Sequence, residues 1–407
     1  MSERIVIIGA GHAGFNVVEA LRRLEFDGEI ILVGDEPHLP YQRPPLSKAF
    51  LTGGYDLDRL LIRPAEYYPD NKITLKLGDP ATAIDPDACT ASLASGETIS
   101  FDSLVLATGS QMRQLSVPGT ELDHVLYLRT HDDAAALMEG LEQSHSVAVI
   151  GGGFIGLEVA ATARKLGKSV TVLEAADRLM ARALPPRLSG FFADLHRERG
   201  VDLRLSAQVS EIAGSSGKAC SVVSGGDEVE ADLVVIGIGV VPATELAEQA
   251  GLACDNGVVV DEFARTSAEN VWAVGDCTNH FNSWSGSRLR LESVQHATDQ
   301  ARIAAASIVG AGEPYQAVPW FWSDQYDLKL QIAGLTDDHD DEIIRGDMSS
   351  GQFSLLYYTG EALRVAYSVN RPGDHMATRR LLTLGRTLPK DIAADPEANL
   401  KQFLRSA

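Results

Sequence analysis

One local pattern occurs twice in this chain, and it fixes most of what the chain can fold into. RIVIIGAGHAGFNVVEALRRLEFDGEIILVGDE, residues 4–36, opens on an apolar strand, Ile5–Ile8. The turn Gly9-Ala10-Gly11-His12-Ala13-Gly14 follows, then a helix with Val17, Leu21 and Leu24 on one face. A second apolar strand, Ile30–Val33, ends near Asp35. GxGxxG alone says little; strand, glycine turn, helix, strand and terminal acid together describe a dinucleotide-binding βαβ unit. Each glycine has a task there. Gly9 permits the tight turn, Gly11 lets backbone approach a pyrophosphate, and Gly14 lets helix pack on strand. The helix N-terminus then offers free N–H groups to the phosphates. Asp35, 24 residues after Gly11, is placed to accept from a ribose.

SVAVIGGGFIGLEVAATARKLGKSVTVLE, residues 146–174, repeats the unit with Gly151, Gly153, Ile155 and Gly156 in the turn. Its second strand ends at Glu174, 21 residues after Gly153. A carboxylate there accepts from a ribose 2′-OH and repels a 2′-phosphate, which predicts NADH over NADPH. Arg178 and Arg182, just beyond, are the counter-signal. Phe101–Gly109 and Asp232–Gly239 are apolar strands that run into glycine, and each reads as closing its own nucleotide unit. Val271–Ala273 leads to Gly275-Asp276. Two units imply two dinucleotides, one held as a prosthetic group and one exchanging.

The order GxGxxG, Ala107-Thr108-Gly109, GGGxIGLE and a strand ending in Gly-Asp resembles the FAD-dependent pyridine-nucleotide oxidoreductases of the glutathione-reductase type. More narrowly, PYQRPPLSK (40–48), LYLRT (126–130), LRLESVQHATDQAR (289–302) and PWFWSDQY (319–326) resemble the putidaredoxin and rhodocoxin reductase group. The resemblance implies an α/β fold: two Rossmann-type domains and a C-terminal α/β domain. It implies FAD and NADH as cofactors and a [2Fe–2S] ferredoxin, serving a cytochrome P450 or ring-hydroxylating oxygenase, as partner. It places Lys48 near the flavin N5 edge with Glu158 paired to it, Arg129 on the FAD phosphates or adenosine, and Asp276 on the ribitol. Val294 is expected to offer its backbone N–H to the flavin N1/O2 edge. His12, Ala13, Arg43, Ala81, Ala107, Thr108, Gly109 and Gly275 complete the expected cofactor contacts. Related peroxidases and disulfide reductases carry cysteine after the second strand; HLPYQRPPLSK has none. Electrons would therefore leave the flavin directly.

Composition narrows the partners. The net charge of −21 argues against nucleic acid or an anionic membrane. MSERIVIIGAG has neither the cationic nor the apolar stretch of a leader, and no apolar run is long enough to span a bilayer, so a cytoplasmic protein is expected. Cys89, Cys220, Cys254 and Cys277 form no CxxC; most read as buried packing residues, and no metal site is expected. An acidic ferredoxin needs a local basic face. Arg364, Arg371, Arg379, Arg380, Arg386 and Lys390 stand against Asp374 alone in residues 363–390, and Arg63 and Arg302 flank them by resemblance. Asp337–Glu342 reads as an acidic loop without a clear task.

The expected domains are 1–112 with 241–318 for FAD, 113–240 for NADH, and 319–407 closing the pocket. Strand alternation puts Trp320 and Trp322 on one face and Phe321 on the other. By resemblance Trp322 lies against the isoalloxazine, with Trp320 in support. Three other readings stay open: a rubredoxin reductase, a monodehydroascorbate reductase, and an apoptosis-inducing-factor-like interaction protein.

Overall fold

The computed structural model describes residues 3–335 and 339–404. Asp337 and Asp338 of the acidic run lie outside the described residues. Two five-stranded parallel sheets and one five-stranded antiparallel sheet organise the chain.

The first sheet runs Val271–Ala273, Ser103–Leu106, Arg4–Ile8, Glu29–Gly34, Ile73–Leu77. Its central strands are near-continuous Val, Ile and Leu because both faces are covered, one by the helices His12–Arg23 and Val294–Ile308 and the other by a small antiparallel sheet of residues 81–100, so no polar alternation is needed. The second sheet runs Val201–Leu205, Ser169–Glu174, Ser146–Ile150, Leu233–Ile236, Val125–Tyr127. The chain leaves the first sheet through Ser110–Met112 and returns through Val240–Pro242; these two segments pair antiparallel. The last sheet orders Trp320–Gln325, Leu328–Gly334, Ala362–Val369, Gln352–Thr359 and Asp341–Asp347, backed by the helix Pro372–Thr383.

Two local expectations need correction. Leu24 does not extend the apolar helix face: the helix ends at Arg23, and Leu24 caps it at 42% exposure. Only Cys277 is a buried cysteine, its thiol directed at the carbonyls of Leu106 and Val274. Cys220 is exposed because its side chain lies on the solvent side of the strand Lys218–Ser224, and Cys89 and Cys254 are half-buried.

Candidate functional site

The two glycine turns share one geometry. Gly9 has φ +114°, and a Cβ there would lie 2.1 Å from the Ala107 carbonyl oxygen; at Gly14 it would lie 1.9 Å from that of Gly9. These two glycines are demanded by the protein itself. Gly11 is different: a Cβ there would meet nothing within 4 Å. The bare backbone at Gly11 faces open space at the start of the helix His12–Arg23, whose first turn carries no side-chain cap. Gly153, before the equally uncapped helix Phe154–Lys165, repeats this, with nothing within 4 Å. An open cradle over free N–H groups fits a pyrophosphate at both places.

Around the first turn the chain gathers His12, Arg43 and Arg129. Burial, then the Arg43 and Arg129 guanidiniums, push His12 down to about 4, so it stands neutral in a cationic pocket. Arg43 is held by Glu36 at 2.5 Å and donates to the Arg129 carbonyl at 2.7 Å. Arg129 lies 3.8 Å from Asp276, which also accepts from Ser110 at 3.2 Å. Burial pushes the Asp276 carboxyl up, against the pull of Arg129. Asp35 accepts from the Glu36 N–H at 3.0 Å at its strand end. Ala13 and Ala107 are buried in the same core; Thr108 donates to the Ala243 carbonyl at 2.7 Å, and Gly109 (φ +70°) adjoins the Arg129 guanidinium. The Gly275 N–H donates to Gln300 at 2.7 Å, and Val294 is the first residue of the helix Val294–Ile308, capped by Ser293. Ala81 opens a separate antiparallel sheet and packs on the opposite side of the first sheet, in the cluster of Val6, Ile8 and Val33.

At the second turn Glu174 accepts from the N–H groups of Gly152 at 2.5 Å and Ala176 at 2.7 Å, so its carboxylate rests beside the glycines. Arg178 is consumed by the carbonyls of Ala181 and Leu184, which takes away one of the two counter-signals for a 2′-phosphate; the other, Arg182, lies beside Gly239. Ile155, two residues after Gly153, is 47% exposed.

Lys48, at the end of the turn Pro44–Ser47, and Glu158, in the helix Phe154–Lys165, meet at 2.5 Å. Glu158 is 3% exposed, and a buried carboxylate needs a partner. Sequence reasoning missed its other donors: Ser47 at 2.6 Å and Ser323 at 2.7 Å. A serine before a lysine carries no distinguishing signal, and Ser323 belongs to a segment more than 160 positions away.

Trp320 and Trp322 stack on one face of their strand, ring centroids 5.6 Å apart at 29°, while Phe321 turns inward onto Phe154. Both indoles line a groove of about 920 Å³ that also touches Val294, Arg302, Arg379, Arg380 and Lys401. Arg379 lies over the Trp320 ring at 4.9 Å. Arg302 borders a smaller cavity of about 190 Å³ with Glu19, to which Arg63 is paired.

The six cations of 363–390 do not form one face. Arg371 is tied to Asp374, Lys390 to Asp341 and Glu361, Arg364 lies on Trp284, and Arg386 donates to the Leu404 carbonyl. Linear charge counting could not see these partners. The acids of 340–342 likewise have tasks: Asp340 accepts from the Gly360 N–H, Asp341 binds Lys390, and Glu342 meets Arg187 and Tyr357. His38 and His131 both meet Asp132 Oδ1, at 2.8 and 3.0 Å, an arrangement the cysteine-centred search for metal ligands does not reach.

A family model described as pyridine nucleotide-disulphide oxidoreductase matches residues 3–301, and one described as reductase C-terminal matches 320–404. The chain belongs to the pyridine nucleotide-disulphide oxidoreductase family. As a member it is an oxidoreductase whose cofactors are FAD and a nicotinamide dinucleotide. It is 50% identical to rhodocoxin reductase of Rhodococcus erythropolis, over 98% of this chain and 93% of the relative. The ferredoxin reductase for the CYP199A2 system from Rhodopseudomonas palustris superposes with a TM-score of 0.96 at 44% identity, over 99% of this chain and 100% of that one. The reductase in a covalent putidaredoxin reductase–putidaredoxin complex gives 0.95 at 38%, over 99% and 98%. The four cysteines of this chain are free, none bonded to another. Among the described residues no helix is long and apolar enough to cross a membrane.

Proposed function

We propose that this chain is an NADH-dependent reductase of a [2Fe–2S] ferredoxin that serves a cytochrome P450 or a ring-hydroxylating oxygenase. The groove supports this reading most strongly. It joins Val294, at the end of the helix that would face the flavin, to two stacked indoles and a cationic rim. Arg302, Arg379, Arg380 and Lys401 stand there against Asp299, a local +3 in a chain of −21. Such a patch steers an acidic partner and sets its orientation. The named acceptors of the relatives are in keeping with it.

Bound FAD supplies the chemistry, taking a hydride from the nicotinamide and releasing electrons singly. The chain's residues do the rest. Gly11 and Gly153 open the phosphate cradles, His12, Arg43 and Arg129 supply the cationic pocket, and Asp276 and Val294 address the flavin's polar edge. Glu174 selects NADH by accepting from a ribose hydroxyl. Lys48 and Glu158 orient the reacting edge, and Trp322 excludes water from it. Residues 1–112 with 241–318 serve FAD and 113–240 serve NADH. Residues 319–407 close the pocket and carry the docking face, and the protein works in the cytoplasm.

Steady-state NADH oxidation with added [2Fe–2S] ferredoxin tests the proposal. Exchanging Arg379 and Arg380 for Glu should raise the ferredoxin KM by about tenfold or more at low salt and leave ferricyanide reduction unchanged. Ferredoxin turnover at background would refute the reading and favour an interaction protein. Equal activity of the charge-reversed enzyme would move the docking face elsewhere.

A further inference from the structure

The strand Trp320–Gln325 has two faces, and the groove explains only one. On the other, Ser323 and Gln325 are each 1% exposed. Ser323 Oγ donates to Glu158 Oε1 at 2.7 Å. Gln325 Nε2 donates to Ser323 Oγ at 3.3 Å, and Gln325 Oε1 faces His196 Nε2 at 2.9 Å. His196 Nδ1 faces the Tyr326 hydroxyl at 3.3 Å. Tyr326 is held at φ +57° in the turn that follows, an uncommon conformation for a tyrosine.

These contacts agree on one direction. The Gln325 carbonyl must accept, so His196 carries its proton on Nε2 and accepts from Tyr326 on Nδ1. The Gln325 amide fills a lone pair of Ser323, so the Ser323 proton is left for Glu158. No two donors meet anywhere along the series. Burial lowers the His196 pKa, which keeps the ring neutral and this order intact.

The carboxylate itself is unevenly served. Oε2 takes both Lys48 and Ser47, whereas Oε1 has, among the described residues, Ser323 alone. We propose that Ser323, oriented by Gln325 and His196, is a positioning residue that fixes the Glu158 carboxylate and through it the Lys48 ammonium. A buried polar series of this kind is a poor way to fill space, since apolar side chains of equal size would pack without needing partners. Its end point is the Lys48–Glu158 pair, whose carboxylate sits on the helix that starts at the second dinucleotide turn. The third sheet thereby reaches into the reacting centre from behind, while its opposite face forms the groove. The inference rests on the reading that Lys48 and Glu158 orient the reacting edge.

Ser323→Ala in the FAD-loaded enzyme removes the only donor to Oε1 among the described residues. The expected result is a loss of about tenfold in the rate of flavin reduction by NADH, from the usual worth of a hydrogen bond to a charged group. The NADH KM should stay unchanged, the melting temperature should fall by no more than a few degrees, the visible spectrum of the bound flavin should shift, and Ser323→Thr should restore both rate and spectrum. In a Glu158→Gln background Ser323→Ala should add no further loss. An equal additional loss in that background would show that Ser323 acts by another route and overturn the inference. So would a full-rate, spectrally unchanged Ser323→Ala enzyme beside a slow Glu158→Gln one. A full-rate Glu158→Gln enzyme would overturn the reading of the ion pair itself, and this inference with it.

Discussion

Arg345 offers a sharp test of how the groove wall is held. It is 2% exposed in the strand Asp341–Asp347. Its Nε pairs with Asp374 at 3.1 Å. Its other nitrogens donate to the carbonyls of Ile392 at 3.2 Å, Pro396 at 3.2 Å and Ala398 at 2.8 Å, and to that of Asp395. One guanidinium thus anchors residues 390–404, from which Lys401 and Leu404 line the groove. Arg345→Met keeps the volume and removes every donor. Losing one partner of a buried pair typically destabilises by about 3–5 kcal/mol. The low end applies, because Asp374 keeps Arg371 at 2.9 Å and Ser354 at 3.2 Å, and the released carbonyls can reach water. About 3 kcal/mol corresponds to roughly 100-fold in local opening. Hydrogen exchange of residues 390–400 should accelerate by about that factor while the two parallel sheets keep their protection. The ferredoxin KM should rise and ferricyanide reduction should not change. Unaltered exchange in 390–400 would refute the anchor.

His280 and His296 stack at 4.6 Å inside the protein, and burial pushes His280 down to about 4 and His296 well below its ordinary value. Their folded pKa values lie below the unfolded 6.5, so the unfolded chain binds more protons as pH falls. Stability is therefore full above about pH 7 and drains between 6.5 and 4, by about 3 kcal/mol for His280 alone; urea midpoints across that range check it, and a flat profile refutes it. Glu174→Ala should cut the NADH/NADPH ratio of kcat/KM by about tenfold, the worth of one charged acceptor, and an unchanged ratio would count against the ribose contact. Trp322→Ala should alter the charge-transfer absorbance of the NADH-reduced enzyme, and Trp320→Ala should leave it intact; an unchanged spectrum in the first variant would return Trp322 to ordinary packing.

What could be read in the sequence was whatever repeats locally or obeys a short period. The glycine turns were legible because the motif is short and local, although Gly14 answers to Gly9 within the turn and Gly9 to the distant Ala107 carbonyl. The alternation of Trp320, Phe321 and Trp322 needed only a strand. The Lys48–Glu158 pair was reached through resemblance and the rule that a buried acid needs a cation. What stayed hidden was contributed from far along the chain. Ser323 looks like any polar strand residue until Glu158 is beside it, and Arg345 like a surface cation until five acceptors close around it. The cations of 363–390 summed to a patch on paper because a linear count omits Asp341 and Glu361, which fold back onto Lys390. Residues 399–404 carried no sequence signal, yet they supply part of the groove.

The alternation at 320–325 also constrains how this protein can change over evolutionary time. Trp320 and Trp322 line the groove on one side of the strand, and on the other Ser323 meets the Glu158 carboxylate, so a substitution on one side need not disturb the other. An insertion or deletion of a single residue in this strand would exchange the two sets at once, pushing indoles against Glu158 and serine into the groove. Substitution at 320 therefore leaves the support of the carboxylate in place, whereas the length of this strand is constrained by both faces at once. Anyone re-engineering the acceptor should vary the groove side at 320 and leave the count of residues alone.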